Sequence, residues 1–158
     1  MKKLVAVFSL ASLVLLWSCK DDPVIGDASS KLKGIDATWE VDQVIQSYST
    51  LTGAVEWDVT YYYKTDAAQM EVMFDSDNLT YSVSAEGMKN FFGIGGSWAY
   101  DNDEFPSQIT FNEGSANELV VPLGAIVREV DEKLHLIYER GCGTETYIKY
   151  DFYFTRKS

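Results

Sequence analysis

From residue 34 onwards apolar and polar side chains alternate in short runs with a period of two, the pattern of half-buried β-strands. In the first run Trp39, Val41, Gln43 and Ile45 fall on one face, with Glu40 and Asp42 on the other. Met70, Val72 and Phe74 then alternate with Gln69, Glu71 and Met73, and Leu79, Tyr81 and Val83 with Thr80, Ser82 and Ser84. Between these runs Asp75-Ser76-Asp77-Asn78 supplies residues that tolerate turn and left-handed conformations. Residues 69–84 are therefore predicted to form a hairpin with a four-residue loop.

The middle of the chain is less regular. Gly93, Gly95 and Gly96 precede Ser97-Trp98-Ala99-Tyr100, and the polar turn Asp101-Asn102-Asp103-Glu104-Phe105-Pro106 leads into Ile109-Thr110-Phe111, a second hairpin with a longer tip. Residues 118–121 and 125–130 are strand-like, but Pro122 and Gly124 interrupt them, which suits an edge strand or a bulge. Further on, Leu134, Leu136 and Tyr138 share one face of a strand, and Ile148, Tyr150, Phe152 and Phe154 one face of the last. Residues 49–68 give no clean period. Trp57 to Tyr63 fit either a strand or a short helical turn started by Asp58, and the turn is preferred because Lys64-Thr65-Asp66-Ala67-Ala68 breaks any alternation. Many short strands joined by tight turns predict an all-β fold, an antiparallel up-and-down barrel of about eight strands, with a β-sandwich as the alternative.

The first 33 residues follow another pattern. Met1-Lys2-Lys3 is a positive start, Leu4 to Trp17 an almost unbroken apolar run, and Ser18 a small residue, the anatomy of a secretory signal peptide. The run is shorter than the roughly 20 residues a membrane-spanning helix needs. Leu16-Trp17-Ser18-Cys19 resembles the lipobox of bacterial lipoproteins, which implies cleavage before Cys19 and lipidation of its thiol. Lys20-Asp21-Asp22 is similar to the acidic export signal of surface lipoproteins of the Bacteroidota. The resemblance implies an outer-membrane lipoprotein exposed at the cell surface, with a periplasm-facing attachment as the alternative. Residues 20–33 are polar, contain Pro23 and Gly26, and read as a flexible tether. The expected organisation is a signal peptide over 1–18, a lipidated cysteine and tether over 19–33, and one domain over 34–158.

Charge narrows the partners. The chain carries 24 Asp and Glu against 13 Lys and Arg, a formal net charge of -11 before the two lysines of the signal segment are removed. No cluster of Lys and Arg stands out, so nucleic acid and anionic head groups are not expected partners. Of the two cysteines, Cys19 is assigned to lipid, which leaves Cys142 in Gly141-Cys142-Gly143 as a small residue at a loop or bulge, with a redox or intermolecular role as the alternative.

Catalytic patterns fail individually. Gly95-Gly96-Ser97-Trp98-Ala99 begins like a nucleophile elbow but ends in Ala and lacks the strand-turn-helix context. Gly93-Ile94-Gly95-Gly96 lacks the last glycine of a dinucleotide loop. His135 is the only histidine, too few for a catalytic zinc site, and alternation turns it towards solvent with Lys133, Ile137 and Glu139. Residues 75–78 and 101–104 collect oxygen ligands of the kind calcium takes, but turn chemistry accounts for both. No enzyme activity, metal or cofactor is expected.

Gly34 and Trp39 opening the first strand, the Phe74-to-Tyr81 hairpin, Gly96-Ser97-Trp98, Phe105-Pro106-x2-Ile109-x-Phe111 and an aromatic closing strand resemble the lipocalin-like lipoproteins of the Bacteroidota. The resemblance covers about Gly34 to Arg156, implies an eight-stranded barrel and carries no catalytic residues. Trp39, Phe74, Tyr81, Trp98, Phe111, Tyr138 and Phe152 are the candidate barrel lining. An eight-stranded barrel has room for these side chains or for one small ligand, so two functions stand. One is a binding module for a small apolar or amphipathic ligand. The other is an accessory subunit of a cell-surface complex, with a filled barrel and the partner met through loops such as 86–95.

Overall fold

The computed structural model describes residues 31–50, 53–142 and 145–158, so Cys19 and the signal segment lie outside it. A single helical turn, α1 (Lys31–Ile35), leads into nine strands: β1 (Ala37–Thr50), β2 (Gly53–Asp58), β3 (Glu71–Asp75), β4 (Thr80–Ser84), β5 (Gly95–Tyr100), β6 (Gln108–Phe111), β7 (Leu119–Pro122), β8 (Lys133–Cys142) and β9 (Glu145–Arg156). All pairings are antiparallel, in the order β7-β6-β5-β4-β3-β1-β9-β8. The ring nearly closes between β7 and β8, where Leu123 bridges Leu136 and the Gly124 N–H donates to the His135 carbonyl at 2.9 Å. The fold is thus an up-and-down barrel rather than a sandwich, and β2 stands outside the ring, paired with the far half of β1.

Strand length divides the barrel into two heights. β1, β8 and β9 run 14, 10 and 12 residues, whereas β3 to β7 run only four to six. At the upper end the long strands, with β2, continue past their short neighbours as a wall. The lower end is capped by α1: the Trp39 indole donates to the Ile35 carbonyl at 2.8 Å, and Arg156 lies over the Trp39 ring, its guanidinium donating to Gly34 at 2.7 Å. Gly34 is buried there against the Val127 carbonyl, where any β-carbon would collide with backbone. The chain enters the barrel at this position because only glycine fits.

The predicted alternation holds over most of the ring, with three exceptions. A bulge between Val41 and Gln43 advances β1 by one residue, so Gln43 and Ile45 turn outward and Val44, Gln46 and Tyr48 continue the inner face. Residues 125–130 form no strand; Val127 is buried and closes the lower end beside α1. The predicted hairpin forms with its four-residue loop shifted by one to residues 76–79: Asp75 ends β3 opposite Thr80 and accepts from the Asp77 and Asn78 amides at 3.0 and 2.9 Å, while Leu79 leaves the predicted strand face for the turn, exposed at φ 52°. The uncertain segment divides: Gly53–Asp58 is a strand, and Thr60–Tyr62 a single 3-10 turn started by Asp58, whose carboxylate accepts from the Thr60 amide at 2.9 Å.

Candidate functional site

Every ring residue proposed as lining points into the barrel, and six of the seven are buried: Trp39, Phe74, Tyr81, Trp98, Phe111 and Phe152. They meet one another. Phe74 packs edge-on to Trp98 with centroids 5.5 Å apart and stacks on Phe111 at 6.1 Å, while Tyr81 sits 4.4 Å from Phe111. Such pairs are favourable beyond the area they bury.

Three residues outside the strand pattern complete the filling. The loop between β4 and β5 folds inward over the short strands, held by the Tyr81 hydroxyl donating to the Phe92 carbonyl at 2.7 Å and by Asn90 accepting from the Phe92 amide at 2.8 Å. Phe92 is thereby buried 5.9 Å from Phe111 and 5.1 Å from Phe152. Phe91 stacks on Tyr138 at 4.3 Å, 11° from parallel, and reaches Tyr150 at 4.9 Å. Tyr63, just after the 3-10 turn, packs edge-on to Phe152 at 5.1 Å. The interior is a continuous stack of rings plugged from above.

Open space lies above the plug. A cleft of about 350 Å³ sits between the inner face of the β1–β9 wall, the 3-10 turn and the plug loop, lined by Gln46, Val59, Tyr62, Tyr63, Gly87, Lys89 and Tyr150. That is near the lower limit of small-molecule sites. Its floor is the upper surface of the ring stack. Burial pushes the Tyr63 phenol pKa well up, with the neighbouring Tyr150 adding to it, so this hydroxyl stays protonated and able to donate at neutral pH. Lys89 reaches over Phe91, its ammonium 4.9 Å from the ring centroid, a cation–π contact that holds it at the cleft edge.

Above the cleft the wall stays aromatic on its inner face. Cross-strand partners point the same way, so the register places Trp57 beside Gln46, Val55 and Ile148 beside Tyr48, and Tyr138 beside Tyr150. Trp57, Val55 and Tyr48 are 49%, 42% and 40% exposed. Of the predicted lining residues, Phe152 lies against Tyr63 and Tyr150 beneath the cleft, and Tyr138 reaches it through Tyr150 and Phe91. Gln46, Tyr62, Tyr63, Lys89 and Phe91 were not singled out from sequence, because the bulge and two loops position them.

The remaining polar groups are bound up in structure. His135 does face outward, but it is largely covered: its ring stacks on Tyr153 at 4.3 Å and its Nε2 lies 2.9 Å from Asp151. Asp151 also pairs with Lys149 at 2.8 Å, which raises the lysine pKa. Asp101 accepts from the Ser107 hydroxyl at 2.6 Å and from the Ser107 and Gln108 amides, so this acidic turn, like that of Asp75, spends its carboxylate on its own loop. Among the described residues no three or more His, Cys, Asp and Glu side chains converge as metal ligands, and no helix is long and apolar enough to cross a membrane. No protein-family model, curated protein or solved structure matches the chain.

Proposed function

We propose that this chain is a lipid-anchored, extracytoplasmic, lipocalin-like binding protein that takes a small amphipathic ligand in the cleft above its filled barrel. The observation that carries the reading is the cleft itself: tyrosine rings and Val59 offer an apolar wall, and the Gln46 amide, the phenols and the Lys89 ammonium offer a polar edge. A site with an apolar body and few directed polar groups is what holds and orients a small molecule. Inside the barrel the described rings pack on one another, Phe74 on Phe111 and Phe92 on Phe152.

Attachment rests on Leu16-Trp17-Ser18-Cys19 and the acidic residues after it. One acyl chain gives reversible membrane binding, and two or more hold stably. The geometry suits this anchor. Residue 31 lies at the lower end, while Gln46 is nine residues up β1 from Ala37, about 30 Å away at the rise of a strand. A chain tethered below its lower end would present the cleft away from the bilayer, towards ligand. An outer-membrane position at the cell surface is the localisation we propose.

The accessory-subunit alternative draws on the filled interior and on the exposed Val55 and Trp57. Native mass spectrometry separates the two. Protein purified from its own cells is expected to carry a small molecule that leaves on denaturation, and Gln46→Trp, which fills the cleft from a partly exposed position, is expected to arrive empty. A bare wild-type protein would favour the accessory subunit, and a ligand retained by Gln46→Trp would move the site elsewhere.

A further inference from the structure

Alternation along the wall sorts charge as well as polarity. On the outer face stand Glu56, Asp58, Glu139, Asp151 and Lys149, out of step with the residues that continue the buried interior. On the inner face stand Val55, Trp57, Gln46, Tyr48, Ile148, Tyr150, Tyr138 and one charged residue, Arg140, opposite Ile148 and one rung above Tyr138. The cleft below it is lined by one further charge, Lys89, and by no carboxylate. In a chain with 24 acidic residues against 13 basic ones, the charged side chains that the described residues place in the cleft and on the wall's inner face are cations.

We infer that the cleft selects an anionic amphipath: a ligand whose planar or apolar body lies against Tyr62, Tyr63, Tyr150 and Val59 and whose carboxylate, or comparable anion, meets Lys89. This rests on the cleft being the binding site. The overall charge of -11 does not oppose it at close range, since charges further than about 8 Å are largely screened at physiological ionic strength. The nearest acid in sequence, Glu86, is exposed in the plug loop. Lys89 is held in place over Phe91, and the Gln46 amide and the protonated Tyr63 phenol are donors suited to an anion's lone pairs. Because Lys89 is itself exposed, the charge is worth about fivefold in affinity rather than orders of magnitude. Shape and apolar contact supply the rest.

The test uses two probes of one shape, 2-naphthoate and the neutral naphthalene-2-carboxamide, titrated into the purified protein by calorimetry at physiological ionic strength. The expected result is naphthoate binding about fivefold tighter than the amide, a preference erased by Lys89→Gln, kept by Lys89→Arg and reduced by added salt. Equal binding of the two probes to wild type, or a preference that survives Lys89→Gln, overturns the charge selection while leaving the cleft reading intact. Failure of both probes to bind, with the fold verified by circular dichroism, overturns the cleft reading and the inference with it.

Discussion

At the scale of single residues, the barrel is organised by rings packed on rings. Phe111 touches Phe74, Tyr81 and Phe92, and Phe152 touches Tyr63, Phe92 and Phe154. Truncating either to alanine is expected to cost about 3–5 kcal/mol in denaturant unfolding. A cost below about 1 kcal/mol would mean a loosely filled interior able to collapse around the gap. Asp101 gives a second prediction. Ser107 and Gln108 donate to it and hold its pKa below the usual carboxylate range, so its contribution is fully present above about pH 4 and is lost as pH falls through its lowered value. Asp101→Asn should flatten the acid side of the stability curve, read by thermal unfolding between about pH 2 and 5. An unchanged curve would show that the turn contributes nothing to acid sensitivity. The inward burial of Trp39, Phe74, Tyr81 and Phe152 was legible from period two. Phe91 and Phe92 were not, because they enter the core from a loop with no alternation to mark them.

At the scale of elements, the bulge in β1 and the extra strand β2 make the difference between a plain barrel and one with a site. The bulge left no hydrophobic signal. The bulge at Val41 and Gln43 contains no glycine or proline, and uninterrupted alternation would have put Gln43 and Ile45 inside where Val44 and Gln46 stand. β2 alternates only over Val55 to Asp58 and is exposed along its whole length, so its short period was not separable from the turn that follows it. Hairpins at 69–84 and 95–111 were legible because their turns carry Asp and Asn, with Pro106 in the second, between strand-like runs. The lower cap depends on close approach at Gly34, and Gly34→Ala is expected to destabilise by about 2 kcal/mol. Wild-type stability in that variant would show that α1 does not seal the end of the barrel. The plug loop makes the complementary prediction. Phe91→Ala removes the ring stacked on Tyr138 and beneath Lys89, and should deepen the cleft and weaken the naphthoate preference by releasing Lys89.

At the scale of the whole molecule, a closed end capped by α1 and an open end walled by the long strands give the protein a direction. The proposed anchor at Cys19 lies in chain order on the closed side, so ligand would approach from the opposite one. Cys19→Ser should release the protein in soluble form or leave it as precursor, judged by membrane fractionation and by mass. A variant that still partitions with membranes as wild type does would remove the anchor from the account. The barrel followed from the spacing of short alternating strands, whereas the cleft depends on where a loop and a bulge meet in three dimensions, which no local pattern encodes.

The central claim is that ligand binds above a filled barrel and not within it, and an amide-resolved NMR titration with 2-naphthoate tests it most directly. Saturable shifts are expected at Gln46, Gly87, Lys89 and Tyr150, with Phe74, Trp98 and Phe111 little changed. Largest shifts at those three interior residues would place the ligand inside the barrel and contradict it.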